Sequence, residues 1–163
     1  MIEAFESPGP TVRKRNSCKA VVVRRGRLLL TLNRDSMGDF HLLPGGGQKF
    51  GETATDAVVR EVIEETGWQV APRKLILVRD YIGGNHEFST AEGDVHQTEL
   101  IFTADPVKKV REPEAQDAWQ TGVLWLPLNQ LCAVRLYPSC LCGILPDIVK
   151  GNYEGPVYLG DVN

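Results

Sequence analysis

The chain has 163 residues, of which 42% are hydrophobic and 24% are charged, and its formal net charge is −3. This length suits one compact domain with a sizeable core, and the composition excludes collagen, a coiled coil and a disordered chain. The acidic balance provides no general surface for nucleic acid, so an anionic ligand would need local arginines or a bound metal ion.

The N-terminal sequence and the cysteines bear on the compartment. The stretch MIEAFESPGPTVRKRNS has no apolar signal core, and no apolar run approaches the ~20 residues of a membrane span. The four cysteines form no Cys-x-x-Cys pair, and the histidines complete no zinc pattern. We therefore expect a cytoplasmic protein with free, partly buried thiols and no membrane partner. Residues 1–16 are expected to form a flexible arm and residues 17–163 a single domain.

The first predicted elements are two strands. Runs at 18–23 and 28–32 are β-branched and aliphatic, and the charged residues and glycine between them predict a hairpin. A polar loop is predicted at residues 33–39. After them, Pro44 and three successive glycines argue against any regular element.

A helix is predicted from Ala54 to Thr66, with a signal at each end. Thr53-x-x-Asp56 resembles a capping box, and Gly67 suits the left-handed residue that ends a helix. At ~100° per residue, the two faces differ in character. The face expected to be buried carries Thr55, Val59, Val62, Ile63 and Thr66. The other carries Ala54, Ala57, Arg60, Glu61, Glu64 and Glu65.

The remaining chain predicts a mixed α and β domain. Strands are predicted at 75–81, 96–104 and 122–126, with a long, mobile, Gly- and Asn-rich loop at 83–94. In the second strand, Leu100 and Phe102 share one face, while Glu99 and Ile101 share the other. Helical segments are predicted at 128–134 and 138–149, the latter broken at Pro146. The tail after residue 150 fits either a last strand or a surface wrap.

The glutamates near the end of the predicted helix allow two interpretations. Exposed like-charge pairs at i, i+4 cost only about 0.2–0.5 kcal/mol, so a solvated helix face could carry Glu61 and Glu65. Acidic side chains are, however, disfavoured near a helix C-terminus by the helix dipole. A bound Mg²⁺ would reverse both unfavourable effects. The helix alone leaves the two interpretations open.

The spacing around the helix adds a family resemblance. Gly46, Glu52 and the run Arg60-Glu61-Val62-x-Glu64-Glu65-x-Gly67-Trp68 resemble GX5EX7REUXEEXGU, the signature of the MutT-like Nudix hydrolases, in which U is a bulky apolar residue. The usual aliphatic residue at the last position is Trp68 here. Similarity extends over roughly residues 17–145 and includes LLPGGGQKFGE, Asp117-x-x-Gln120-x-Gly122-x-x-Trp125 and RLYP.

The resemblance implies a fold and a metal site. The fold would be α/β (α+β), a Nudix-type α/β/α sandwich with a mixed sheet and the motif on a loop–helix–loop. Glu61 and Glu65 would be the principal Mg²⁺ or Mn²⁺ ligands, with Glu64 a third or water-mediated ligand and Glu52 beside them. Arg60 would orient a glutamate by a salt bridge. The backbone of Gly45, Gly46 and Gly47 would pass close to the phosphates.

The resemblance also implies an activity. It is the metal-dependent hydrolysis of a diphosphate linkage in a nucleoside diphosphate joined to another moiety, such as ADP-ribose or another nucleotide sugar, or in a nucleoside triphosphate. A box glutamate or a residue of the 83–94 loop would accept the proton from water. A non-catalytic nucleotide-binding sensor is the alternative, and a domain whose acidic helix merely faces water is a third. The sequence allows a homodimer and contains no feature that requires one.

Residues outside the motif add weaker candidates. Arg34 and Arg79 match phosphate oxygens in geometry, with surface ion pairs as the equal alternative. Glu99 is either a metal ligand or, more in keeping with an edge strand, a solvent-facing residue. Glu87 and Glu92 are each either a base supplied by the loop or, in the favoured interpretation, solvated.

Aromatic side chains form a further set of candidates. Tyr81, Trp119 and Trp125 could stack on a base, although the apolar run around Trp125 favours a place in the core. His41 is expected to pack beside the glycine-rich loop.

Overall fold

The computed structural model describes residues 13–114 and 118–163. Its strands are β1 (Arg13–Arg24), β2 (Arg27–Asp35), β3 (Gly38–Leu42), β4 (Gly45–Gly47), β5 (Trp68–Ile82), β6 (Val95–Lys109), β7 (Gln120–Pro127), β8 (Leu136–Tyr137) and β9 (Tyr158–Asp161). Its helices are α1 (Ala54–Thr66), α2 (Ser89–Glu92) and α3 (Leu141–Lys150), and 3₁₀ turns occupy Gly83–Asn85 and Leu128–Ala133. Across the described residues, no helix has both the length and the apolar character that crossing a bilayer requires.

The strands form one mixed sheet. The order is β8-β3-β2-β1-β6-β5-β9, with β4 paired to β1 and β7 paired to β2. The β1–β6 pair is parallel, whereas β1–β2, β1–β4 and β5–β6 are antiparallel. Strand β1 therefore joins the two parts of the sheet and supplies backbone to β4 and β6 at the same time.

The helices cover opposite faces of this sheet. On one face, Val58 and Val62 of α1 pack with Ala20 and Val22 of β1. On the other, leucines of α3 pack in a cluster that contains Val21. Because successive side chains of a strand point to opposite faces, this alternation along β1 separates the two cores. The prediction of an α+β fold with helices on both faces of a mixed sheet is confirmed.

The N-terminal boundary differs from the prediction. Residues 13–16 do not belong to an arm, because they pair in parallel with residues 95–98 of β6. Backbone pairing overrides the polar composition of this stretch. Residues 1–12 of the expected arm lie outside the described residues, as does Asp117.

Two expected irregular stretches are regular, and one predicted strand is longer than expected. Residues 33–39, expected as a loop, form the tight β2–β3 hairpin in which Asp35 pairs with Gly38. The glycines after Pro44, expected to lack regular structure, form β4 by pairing with residues 17–19 of β1. Strand β5 begins at Trp68, earlier than expected, because pairing with β6 continues past a bulge between Pro72 and Leu75.

Two further elements also differ. The expected loop at 83–94 contains a 3₁₀ turn and the short helix α2. Helix α3 continues through Pro146, which was expected to break it. The buried side chains of Leu141 and Leu145 anchor α3 in the core, and this packing outweighs the loss of one backbone hydrogen bond.

The expectation of four free thiols is wrong for two cysteines. Cys132 and Cys142 form a disulfide with Cα atoms 5.0 Å apart, while Cys18 and Cys140 are free. The sequence spacing of ten residues gave no motif, and the 3₁₀ turn and α3 bring the two side chains together.

Candidate active site

Helix α1 has the predicted bounds and both predicted end signals. The Thr53 hydroxyl accepts a hydrogen bond from the Asp56 backbone N–H at 3.1 Å, and Gly67 ends the helix in the left-handed conformation with φ 75°. A left-handed residue here lets the Gly67 N–H bond the Ile63 carbonyl at 2.9 Å. These signals fix where the glutamates of the last two turns stand.

The predicted buried stripe of α1 is wrong in part. Thr55 is exposed, whereas Val58 and Glu61 are buried. The helix packs against the sheet through Val58 and Val62, and its neighbouring face rests on β4, where Glu61 meets Gly46. Because α1 contacts both the sheet and β4, its buried surface extends to the side that carries the glutamates. A single apolar stripe therefore does not describe the buried face of α1.

Arg60 holds three acidic side chains. Its Nε and Nη2 atoms donate to the two Glu52 carboxylate oxygens at 2.7 and 2.9 Å. Its Nη1 atom donates to Glu61 at 2.5 Å and to Glu64 at 3.1 Å, and Nη2 also reaches the Gly47 carbonyl at 3.0 Å. The hydrogen bonds from Arg60 lower the pKa of Glu52 to about 2. Arg60 therefore orients the acidic cluster, and Glu52 serves to hold Arg60.

Glu61 and Glu65 both contact the glycine strand β4. The Glu65 carboxylate accepts a hydrogen bond from the Gly45 N–H at 2.8 Å. A Cβ atom at position 46 would lie 2.6 Å from Oε2 of Glu61. Gly45 has φ 133° and lies so close to the Cys18 carbonyl that a side chain there would overlap it. The glycines thus allow backbone and carboxylates to meet at close range.

These groups border a cavity of about 200 Å³. Glu61, Glu65 and the three glycines of β4 line one side of it. The remaining lining is contributed by Arg15, Ser17, Lys19, Thr31, Asn33, Leu42, Leu43, Gln97 and Gln120. The Lys19 ammonium donates to the Gly45 carbonyl at 2.5 Å, which places a cation beside the two carboxylates.

The donor set fits a hard divalent cation. Carboxylate oxygens are the ligands that Mg²⁺ prefers, and Glu61 and Glu65 present them to one cavity. Within residues 13–114 and 118–163, no three His, Cys, Asp or Glu side chains are gathered as a ready-made metal site. Arg60 binds Glu52, Glu61 and Glu64 through its guanidinium.

A second cavity of about 400 Å³ continues from the first. The two share six lining residues: Arg15, Lys19, Asn33, Leu42, Leu43 and Gln97. Together they form one cleft, with the Glu61 and Glu65 carboxylates at one end. The other end is lined by aromatic side chains of several elements and by a buried ion pair.

This ion pair joins Arg79 and Glu99. The sequence left Arg79 as either a phosphate ligand or a surface ion-pair partner, and Glu99 as either a metal ligand or a solvent-facing residue. Arg79 Nε donates to Glu99 at 2.6 Å, and both side chains are buried. Burial alone would raise the pKa of Glu99, but the charges of Arg79 and Lys19 and the hydrogen bonds lower it below its ordinary value. Glu99 is therefore ionised and not solvent-facing, and the Arg79 guanidinium is engaged by Glu99 and by the Val162 carbonyl.

The weaker candidates are distributed across the molecule. Arg34 pairs with Asp39 at 2.6 Å on the surface and does not line the cleft. Glu87 is exposed and accepts a hydrogen bond from Asn163 at 3.2 Å. Glu92 lines the larger cavity and accepts from the Tyr81 hydroxyl at 2.6 Å.

The aromatic candidates divide between cleft and core. Tyr81 and Trp119 line the larger cavity. Trp125 packs against Trp68 in the core beneath α1, as expected from its apolar run. His41 is buried, with Nδ1 3.2 Å from the Arg135 carbonyl, and lines neither cavity.

The sequence did not identify the polar residues that β1, β6 and β7 bring to the cleft. Arg15, Ser17 and Lys19 alternate along β1 and so share one face. Gln97 accepts a hydrogen bond from Arg15 at 3.0 Å, and Gln120 donates to the Glu65 backbone carbonyl at 2.8 Å. The alternation within RKRNSCK was an available signal for the three residues of β1.

The fold and the site define a class of protein: an α+β domain in which a glycine strand and a capped helix present paired carboxylates to a cleft. The family model described as NUDIX domain matches residues 13–139. The chain belongs to the Nudix family. The prediction of a Nudix pyrophosphohydrolase is confirmed at the level of the family.

Solved structures of the family resemble the chain. A NUDIX hydrolase from Nitrosomonas europaea has a TM-score of 0.68 and 18% identity over 86% of this chain and 91% of that one. A MutT NUDIX hydrolase from Burkholderia pseudomallei has a TM-score of 0.56 and 29% identity over 71% and 84%. An ADP-ribose pyrophosphatase from Streptococcus suis has a TM-score of 0.58 and 19% identity over 90% and 98%.

Proposed function

We propose that the chain hydrolyses a diphosphate linkage in a small nucleotide, with a divalent cation held by Glu61 and Glu65. The substrate class is a nucleoside diphosphate linked to another moiety, as in ADP-ribose, or a nucleoside triphosphate. The observation that carries the proposal is the convergence of the Glu61 and Glu65 carboxylates with strand β4 on one cavity. The ADP-ribose pyrophosphatase among the structural neighbours is consistent with it.

The residues of the site have separate tasks in this proposal. When bound, Mg²⁺ or Mn²⁺ would neutralise negative charge on the phosphates and make a bound water molecule more acidic. Glu61 and Glu65 hold the cation, with Glu64 as a third or water-mediated ligand. Arg60 and Glu52 keep these carboxylates in position. Lys19 and Arg15 place positive charge along the cleft, where phosphate oxygens accept hydrogen bonds from them.

The test is product release from a panel of nucleotides with Mg²⁺, with Mn²⁺ and with a chelator. We expect cleavage that requires the cation and falls at least about 100-fold in Glu61→Gln and Glu65→Gln, because an amide is a poor ligand for a hard cation. Glu112→Gln is the matched control, since the Glu112 side chain is 84% exposed and pairs with Lys109 at the surface.

The non-catalytic sensor makes the opposite prediction. If wild type binds nucleotides but releases no product with either cation, and Glu65→Gln behaves identically, the chain is a binding module. The predictions of a cytoplasmic location and of no nucleic-acid partner stay predictions beside this proposal, and a homodimer stays a possibility that the sequence allows.

A further inference from the structure

A disulfide encloses a short segment of the chain at one wall of the cleft. It joins Cys132, in the 3₁₀ turn Leu128–Ala133, to Cys142, in the first turn of α3. Between them lie strand β8 and the connection from β8 to α3. Residues 132–142 are here called the disulfide segment. Making or breaking the sulfur–sulfur bond changes the freedom of these residues before that of any others.

The disulfide segment contributes to the cleft in two ways. Tyr137 and Pro138 line the larger cavity directly. The Ser139 hydroxyl donates to the Asn163 backbone carbonyl at 3.0 Å, and Asn163 lines the same cavity. The segment therefore forms part of the wall and holds a second part in place. The glutamates of α1 are separated from it, because α1 and α3 cover opposite faces of the sheet.

The disulfide is accessible from solvent. Cys132 is exposed and Cys142 is half-buried. Exchange requires a thiolate to reach one of the two sulfurs, and exposed disulfides are the ones that exchange readily. The remaining thiols differ, since burial raises the pKa of Cys18 to about 11 and also raises the pKa of Cys140. Both therefore stay protonated near neutral pH and react poorly. Redox chemistry is thus concentrated at the Cys132–Cys142 pair.

Other contacts hold the disulfide segment to the fold without the sulfur–sulfur bond. Leu136 and Leu141 are buried in the core. The His41 N–H donates to the Arg135 carbonyl at 2.7 Å, and the Arg135 guanidinium donates to Asp35 at 3.1 and 2.9 Å. These contacts connect the segment to β2 and β3. Reduction would therefore increase the mobility of the segment and leave the chain folded.

We propose that the Cys132–Cys142 pair is a reversible redox switch that sets the rigidity of this wall of the cleft. A dithiol reductant supplies two electrons. Its thiolate attacks Sγ of Cys132, and the Cys142 thiolate leaves and takes up a proton. The second thiol of the reductant then attacks the mixed disulfide, which releases Cys132 as a thiol and the reductant as a disulfide. A disulfide oxidant reverses both steps.

The consequence for the site rests on the proposed hydrolysis. A wall that is already rigid loses fewer conformations when a substrate binds, so binding costs less. We expect reduction to raise KM for a cleaved nucleotide about fivefold. The kcat value should stay within about twofold, because Glu61 and Glu65 lie on the helix that covers the other face of the sheet.

The switch itself can be measured without substrate. The folded chain is equilibrated with reduced and oxidised dithiothreitol at graded ratios, quenched in acid, alkylated and analysed by peptide mass spectrometry. We expect Cys132 and Cys142 to convert together and reversibly without denaturant, while Cys18 and Cys140 remain thiols. On reduction, amide hydrogen exchange should accelerate at least about tenfold at residues 133–141 and stay unchanged at residues 54–66. The Tm should fall by about 5–10 °C, as expected for opening a ring of this size.

Two cysteine variants provide the controls. Cys140→Ser retains the pair and should respond to dithiothreitol as wild type does. The double variant Cys132→Ser, Cys142→Ser should show the amide exchange of reduced wild type at every ratio. Because reduced wild type requires no substitution, the comparison of its two forms stands even if the double variant fails to fold.

The outcomes distinguish the switch from the proposed function. A bond that resists dithiothreitol until the chain is denatured, thiols that fail to pair at oxidising ratios, or equal amide exchange of residues 133–141 in both forms would each overturn the switch. Equal KM values in the two forms would overturn its action on the site. A reversible pair with redox-dependent exchange, in a chain that cleaves no nucleotide with either cation, would support the switch and overturn the proposed hydrolysis.

Discussion

A side chain at position 46 would occupy space that the Glu61 carboxylate fills. The backbone of Gly46 has no positive φ, so an alanine there would not be strained by its own conformation. Its Cβ atom would, however, lie 2.6 Å from Oε2 of Glu61. Gly47, the next residue of β4, has more space around it than Gly46. The nearest atom to a Cβ at position 47 would be Arg15 Nη1, at 3.8 Å.

We therefore predict that Gly46→Ala reduces kcat about 100-fold by displacing Glu61, while Gly47→Ala stays within about threefold of wild type. The predicted reduction in kcat is of the size seen when a group that orients a metal ligand is displaced. Steady-state kinetics with Mg²⁺ titration measures both kcat and the metal requirement. Equal effects of the two substitutions would show that contact with Glu61 is not the cause.

For individual residues, sequence spacing predicted the members of the motif and little beyond it. Glu61, Glu65 and Gly46 were identified because the family signature fixes their intervals along one loop and helix. Which arginine reaches the cleft depends instead on strand register, which spacing does not encode. Arg34 therefore lies at the surface. Arg79 lines the cleft within a buried ion pair, and Arg15 lines it without having been a candidate.

The elements show why some local signals were sufficient and others were not. Helix α1 was predicted with its bounds because capping is a local interaction between residues close in sequence. Strand β4 was missed because its glycines have no intrinsic preference for a strand. It exists through pairing with β1, a contact between distant parts of the chain.

Strand β9 presents a carboxylate that connects it to the end of β5. Asp161 accepts hydrogen bonds from the Ile82 N–H at 3.0 Å and from Asn85 at 2.7 Å, and His86 Nε2 lies 2.6 Å away. Burial alone would raise the pKa of Asp161, but these three partners lower it to about 2. Its ionised form therefore stabilises the fold above its unfolded pKa of about 3.9, and the contribution disappears as pH falls toward 2.

We predict that Asp161→Asn lowers the free energy of unfolding at neutral pH, and that the difference from wild type shrinks as pH falls from about 4 to about 2. Urea denaturation over this pH range measures the difference directly. Asp147→Asn, an exposed aspartate on α3, is the control and should follow wild type throughout. A difference for Asp161→Asn that does not change with pH would contradict the assignment.

Across the whole molecule, the cleft collects side chains from distant parts of the chain. Arg15 of β1, Glu65 of α1 and Trp119 beside β7 meet there although they are far apart in sequence. The mixed sheet and the two covering helices could be predicted from the family signature. The distal end of the cleft could not, because the rings that form it come from four segments whose arrangement exists only in the folded chain.

This arrangement couples the site to global stability. Glu61 and Glu65 belong to α1, whose opposite contacts form the core under the sheet, so a cation that binds both carboxylates stabilises the folded chain as a whole. A ligand that binds only the native state, present at 100 times its dissociation constant, adds about 2.7 kcal/mol. In a protein of this size, that corresponds to an increase in Tm of about 5–10 °C.

We therefore predict that saturating Mg²⁺ or Mn²⁺ raises the Tm of wild type and of Glu112→Gln by this amount, and raises that of a Glu61→Gln, Glu65→Gln double variant by less than about 2 °C. Scanning calorimetry with increasing cation measures the shift, and NaCl at equal ionic strength separates a specific site from general screening. An equal shift in all three proteins would place the bound cation elsewhere than between Glu61 and Glu65. Because the measurement requires no substrate, it tests the metal site independently of which diphosphate the enzyme cleaves.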